Sequence, residues 1–127
     1  MLYPEITDEI IRSFYNVYKI LGYGFLEKVY ENSMIIDLLR RKRYVEKQVP
    51  IDVHFDGHRV GKYFADLLVD RRVIVEIKAV EYLIPEHELQ LINYLKATDI
   101  EVGLLLNFGP KPQFTRKVFS NSRKRSA

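Results

Sequence analysis

Phe64-Ala65-Asp66-Leu67-Leu68-Val69-Asp70-Arg71-Arg72-Val73-Ile74-Val75-Glu76-Ile77-Lys78-Ala79 carries the strongest structural signal in the chain. Two aliphatic, β-branched runs flank Asp70-Arg71-Arg72, the pattern of two strands joined by a short turn. In the second run Ile74, Glu76 and Lys78 share one face, and Val73, Val75, Ile77 and Ala79 the other. In the first, Asp66 interrupts an apolar strand. A three-residue turn over 70–72 pairs Val69 with Val73 and sets Asp66 opposite Glu76, whereas a two-residue turn separates them onto opposite faces. The longer turn is the expectation, because it converges the charges.

Two carboxylates about 5 Å apart repel each other, and desolvation adds to the cost unless a cation sits between them. Oxygen donors without cysteine favour a hard ion, Mg²⁺ or Mn²⁺. Lys78 beside them can hold a water or a phosphate oxygen. That set suits metal-assisted attack of water on a phosphodiester. An ion pair of Lys78 with Glu76 or Asp66 on a solvated sheet face explains the same spacing, and at this point both readings stand.

Upstream, Val45 to Phe55 alternates in polarity as a half-buried strand, with Pro50 marking an edge or a bulge. Asp56-Gly57 signals a hairpin into a strand from about His58 to Val69. Before these, Thr7-Asp8-Glu9 looks like a helix start with Thr7 as N-cap, and Ile10, Phe14, Val17 and Leu21 recur at helical spacing. A second helix begins near Gly24-Phe25-Leu26 and runs to about Arg43. Downstream, Pro85 opens a third helix to about Ala97, and Val102-Gly103-Leu104-Leu105-Leu106 reads as a strand covered on both faces. Residues 113–119 add an edge strand. The order is ααβββαβ(β), an α/β domain over 1–120 whose mixed central sheet is flanked by helices, followed by a basic, disordered tail at 121–127.

The chain has 127 residues, 47% hydrophobic and 29% charged, which fits one globular domain. The absence of cysteine excludes a disulfide scaffold and a Cys-ligated zinc site. No apolar run approaches the roughly 18 residues of a membrane span. Met1-Leu2-Tyr3-Pro4-Glu5 lacks the basic-then-apolar pattern of a secretory leader, so a cytoplasmic protein is expected. Residues 111–127 hold six of the 20 basic side chains and none of the 17 acids, and Arg40-Arg41-Lys42-Arg43 with Lys47 forms a second basic cluster. Such clusters suit a polyanion such as nucleic acid, although a solvated helix end and a frayed tail give the same pattern.

Two further groups stand out. Glu27 has Tyr30 and Met34 at i+3 and i+7, which puts it on or beside a buried stripe, as a site acid or as a partner of the helix dipole. His87, Gln90 and Tyr94 form a polar stripe on the third helix that can orient water or phosphate oxygens, or simply face solvent.

Gly24-Phe25-Leu26-Glu27-Lys28-Val29-Tyr30 resembles the G-x-x-E-x-x-Y signature of the GxxExxY proteins, a branch of the PD-(D/E)XK nuclease superfamily with its restriction-endonuclease-like fold. The resemblance extends through Glu46-Lys47-Gln48-Val49-Pro50, Ala65-Asp66-Leu67-Leu68-Val69, Val75-Glu76-Ile77-Lys78-Ala79, the helix around His87, Gln90 and Asn93-Tyr94, and Val102 to Phe108, over roughly residues 5–119. It implies that Asp66 is the first acid and Glu76-Ile77-Lys78 the (D/E)-x-K element. Asp66, Glu76 and the Ile77 carbonyl would then be metal ligands and Lys78 the catalytic lysine. It further implies that Glu27 binds the metal directly or through water. Gln90 and Tyr94 match a Q-x-x-x-Y element that supports the site and contacts substrate; His87 and Tyr30 join them as supporting residues. Gly22-Tyr23-Gly24 replaces the usual glycine-proline-glycine, and Ala65 stands where the motif's proline would be. The expected activity is Mg²⁺-dependent nuclease action on nucleic acid, DNA first, with Mn²⁺ substituting. The alternative is an inactive nucleic-acid-binding module or subunit, and a homodimer is a further possibility.

Overall fold

A computed structural model describes residues 1–124. Its elements are α1 (Pro4–Leu21), α2 (Glu27–Arg40), β1 (Val45–Phe55), β2 (His58–Val69), β3 (Val73–Lys78), α3 (Pro85–Lys96), β4 (Val102–Phe108) and β5 (Pro112–Val118). The five strands form one sheet in the order β1-β2-β3-β4-β5. Only β3 and β4 run parallel, as the α3 crossover between them requires; the other neighbours are antiparallel. The element order is the one expected, and β1 lies at an edge, where the missing N–H of Pro50 is tolerated. Among the described residues no helix is long and apolar enough to cross a membrane.

The sheet is packed on both faces. Ile6, Ile10, Phe14 and Val17 of α1 and Tyr30, Met34 and Leu38 of α2 meet Val73, Val75 and Ile77, together with Leu104 and Leu106. On the opposite face Leu91, Tyr94 and Leu95 of α3 meet Ile74, Leu68 and Leu105. Every residue of β4 is buried, as its unbroken apolar run demands. At Gly103 the fit is tight: a Cβ there would fall 2.6 Å from Leu91 Cδ1. The glycine leaves room for the buried Leu91 side chain of α3, so Gly103→Ala would force Leu91 to shift.

Three boundaries differ from the sequence reading. α1 starts at Pro4 rather than after Thr7, because a proline fits the first helical position. Thr7 lies buried inside the helix, its hydroxyl donating to the Tyr3 and Pro4 carbonyls at 3.3 and 3.2 Å. α2 stops at Arg40, not Arg43, where Lys42 turns left-handed (φ 68°) and Arg43 N–H bonds back to the Leu38 carbonyl. The expected disordered tail is partly docked: Asn121–Arg123 form a 3₁₀ turn, and Lys124 Nζ donates to the Thr98 and Ile100 carbonyls at 2.8 and 2.7 Å. Residues 125–127 lie outside the described residues.

The basic clusters are also less available than their sequence implies. Arg41 pairs with Asp37 and Glu9, Arg43 with Asp70, and Lys117 with Glu88, while Arg116 binds the Leu2 carbonyl. Arg40, Lys42, Lys47 and Lys111 remain exposed and outside any ion pair among the described residues.

Candidate active site

The site begins at the β2–β3 turn. Asp70 and Arg71 take left-handed backbone (φ 51° and 56°), which closes a three-residue connection. Asp70 is braced by Arg43 at 2.7 Å and by the Tyr44 N–H at 2.9 Å. The pairings Val69↔Val73, Leu68↔Ile74 and Leu67↔Val75 follow, so the next position brings Asp66 opposite Glu76. There the backbone ladder stops and the two side chains replace it. The Asp66 N–H donates to Glu76 Oε2 at 2.7 Å, and the Ile77 N–H donates to Asp66 Oδ2 at 2.8 Å. Each carboxylate thus spends one oxygen on the opposing strand and keeps one. Asp66 Oδ1 has only a long 3.5 Å contact from Gln48 Nε2, and Glu76 Oε1 takes no hydrogen bond among the described residues.

This reciprocal clasp is electrostatically unbalanced. Glu76 is 4% exposed. Burial first, and the neighbouring Asp66 charge second, push its carboxyl up to about 8, against the opposing pull of the Asp66 amide and Lys78. Burial also raises Asp66, with Glu31 adding to it, while the Ile77 amide, Lys78 and Gln48 work the other way. Lys78, half-buried on the same face, lies within 4.0 Å of no carboxylate oxygen among the described residues. The simple ion-pair explanation of the Glu76-x-Lys78 spacing is therefore not what the structure shows. Among the described residues these two close, largely desolvated acids have no cation in contact.

Glu27 is exposed at the first position of α2, beside the buried stripe and at the helix N-terminus, and its charge is the last of the influences that push the Glu76 carboxyl up. Among the described residues no three Asp, Glu or His side chains converge as a ready-made metal cage. The clasp itself is formed by two acids, Asp66 and Glu76. Tyr30 is fully buried; its hydroxyl donates to the Gly22 carbonyl at 2.8 Å and accepts from the Phe25 N–H at 3.2 Å. It fixes the turn that carries Glu27, a turn in which Gly24 (φ 109°) uses backbone that side chains rarely adopt. His87 is likewise occupied: Nδ1 accepts from the Ile84 N–H at 3.2 Å and caps α3. Gln90 and Tyr94 do face the sheet side that bears the site. The Tyr94 hydroxyl is pushed up to about 12 by burial first, then by Glu76 and Asp66.

Two site residues escaped the sequence reading. Glu31 is the buried acid of α2, 5% exposed, and Gln48 Nε2 donates to both of its oxygens at 3.1 and 3.3 Å while leaning towards Asp66. Gln48 holds a positive φ of 49°. Around it the strands change phase: Val45, Leu67 and Val69 pack beneath α1 and α2, whereas Val49, Ile51 and Ala65 pack beneath α3. Glu31 was detectable as the residue one turn after Glu27; nothing in the alternation of β1 announces the flip at Gln48.

The superfamily model described as "PD-(D/E)XK nuclease superfamily" matches residues 4–118. The chain belongs to the PD-(D/E)XK nuclease superfamily. Among solved structures, this PD-(D/E)XK protein is similar to the "Crystal structure of SSO0001", with a TM-score of 0.56 and 20% identity over 91% of its own length. It spans 59% of the length of that chain, and the likeness concerns the fold. No curated protein matches it in sequence. The match spans both strands of the clasp, so Asp66 and Glu76-Ile77-Lys78 lie within the matched residues.

Proposed function

We propose that this protein is a divalent-metal-dependent nuclease that hydrolyses phosphodiester bonds of DNA, and that it falls in the GxxExxY branch. The observation that carries the reading is the Asp66–Glu76 clasp, in which each acid retains one oxygen and neither has a cation in contact among the described residues. The donor set fits a hard ion: two carboxylates, completed by the Ile77 carbonyl and water, are the sparse protein ligation that Mg²⁺ accepts. Glu27 contributes through water from the end of α2. Bound there, Mg²⁺ or Mn²⁺ supplies charge neutralisation and a more acidic water. Lys78, on the same face and uncommitted, orients the attacking water and holds a phosphate oxygen. Tyr94 and Gln90 line the approach, and exposed Arg40, Lys42, Lys47 and Lys111 add affinity for the phosphate backbone without reading sequence.

Purified protein should nick plasmid or degrade linear DNA with Mg²⁺ or Mn²⁺, and Lys78→Ala or Glu76→Ala should abolish it. Equal cleavage by those variants would refute the site assignment. Salt-dependent DNA binding without any cleavage would make the protein a binding module.

A further inference from the structure

Beyond the carboxylates, the α3 side of the sheet holds a groove of about 1230 Å³ between α3 and the tip of the β1–β2 hairpin. It exists because the phase change at Gln48 carries the distal hairpin over onto α3's cluster. Its α3 wall includes Gln90 and Tyr94, and Tyr94 packs in one cluster with Ala65 and Ile74, the sheet positions beside Asp66 and Glu76, so the groove runs alongside the proposed reaction centre.

Its chemistry is unsuited to phosphate. Asp52, Asp56, Glu86 and Asp99 line it. The two lysines present are engaged: Lys96 Nζ sits over the Phe119 ring, and Lys124 Nζ binds two carbonyls. Between the acids stand uncharged amides, Gln90 and Asn93, whose side chains make no hydrogen bond among the described residues. Opposite them Tyr63 is 50% exposed, its ring 5.9 Å from that of Tyr94 and tilted by 46°. Open aromatic surface, unspent amides and acceptor carboxylates match a nucleobase, with its π-face and exocyclic amines, and repel a phosphate chain.

We infer that this groove receives an unpaired base of a DNA strand whose adjacent phosphate lies at Asp66 and Glu76, so the substrate is single-stranded or frayed at the point of cleavage. The inference rests on the nuclease reading for the phosphate's position. A paired base turns out into the groove only at the cost of unpairing and unstacking it, which is what sets the strand preference. Tyr63 supplies the stacking surface.

Fluorescence anisotropy in the presence of a chelator tests this without cleavage. The probes are a short labelled DNA strand, its duplex, and the same strand lacking bases over its central stretch. The single strand should bind roughly tenfold tighter than the duplex, and Tyr63→Ala should cost about tenfold for the intact strand and nothing for the abasic one. Tyr63→Phe, which keeps the ring, should bind as wild type and controls for misfolding. An abasic strand bound as tightly as the intact one, or equal weakening of both by Tyr63→Ala, would overturn the base site. Because the assay needs no hydrolysis, base-dependent binding without metal-dependent cleavage removes the nuclease reading and keeps the groove. Cleavage without base dependence removes the groove alone.

Discussion

Two acidic clusters lie on this small domain and solve the same electrostatic problem in opposite ways. Asp37 on α2 accepts from Asn16 at 2.9 Å and from Arg41 at 2.8 Å, and Arg41 also reaches Glu9 at 3.0 Å. Burial pushes the Asp37 carboxyl up, but Ser13, Arg41 and Asn16 outweigh it and hold it below the usual carboxylate range. Asp66 and Glu76 are also partly or wholly buried, yet among the described residues they receive backbone amides, one long Gln48 contact and a lysine beyond ion-pair distance, and both are pushed up. The first cluster is complete within the chain, as a structural ion pair is. The second has no positive partner in contact among the described residues, and that difference is the support for the proposed exogenous cation.

Exchanging the roles of these clusters by mutation should separate stability from activity. The largest effect is expected on catalysis: Glu76→Ala or Asp66→Ala should lower cleavage by about 10³-fold or more, whereas Arg41→Ala should leave the rate per folded molecule within a few-fold. On stability the order reverses. Asp37→Ala strands Arg41 and Asn16 and should cost about 1–3 kcal/mol in chemical denaturation. Glu76→Gln, which removes a buried uncompensated charge and keeps an acceptor for the Asp66 amide, should raise the metal-free melting temperature near pH 8 by several degrees.

The two clusters should also respond to pH with opposite sign. The folded-state pKa of Glu76 is about 8 against an ordinary value of 4.5. Its favourable contribution is therefore full below about pH 4.5 and is lost as pH rises through 8. Asp37 is lowered, so its contribution is present above the ordinary carboxylate range and is lost as pH falls through its depressed value. Thermal melts in chelator should decline between pH 5 and pH 8, as set by Glu76, with a separate fall in acid. Glu76→Gln should flatten the first decline only.

Smaller effects should follow from the residues that hold the acids in place. Gln48→Gly relieves the left-handed backbone but breaks the link between Glu31 and Asp66; cleavage should drop by roughly tenfold, or about 1.4 kcal/mol, with the melting temperature nearly unchanged. Tyr30→Phe deletes the hydroxyl that ties the turn before α2 and should cost about 1 kcal/mol in stability.

The contrast also explains what could be read from sequence. The β3 face was legible because a strand's period of two fixes which of Ile74 to Lys78 point together. The facing of Asp66 and Glu76 depended on one turn length, and the left-handed Asp70 and Arg71 that realise it are ordinary-looking residues. Helix starts were misjudged at Thr7 because capping chemistry competes with Pro4, and only packing decides. The buried role of Glu31 and the flip at Gln48 were hidden because both depend on a contact between α2 and β1 that neither the helical nor the strand period records. The basic runs misled for a related reason: charge is visible in sequence, but Arg41, Arg43 and Lys117 find their acids only on folding.

The most direct test of a cation held by Asp66 and Glu76 is a Mn²⁺-soaked crystal examined for anomalous scattering. A peak bridging Asp66 Oδ1 and Glu76 Oε1, absent in Glu76→Gln crystals, is the predicted result. A soaked crystal with no peak at that pair, or with the ion held elsewhere and unaffected by Glu76→Gln, would contradict it.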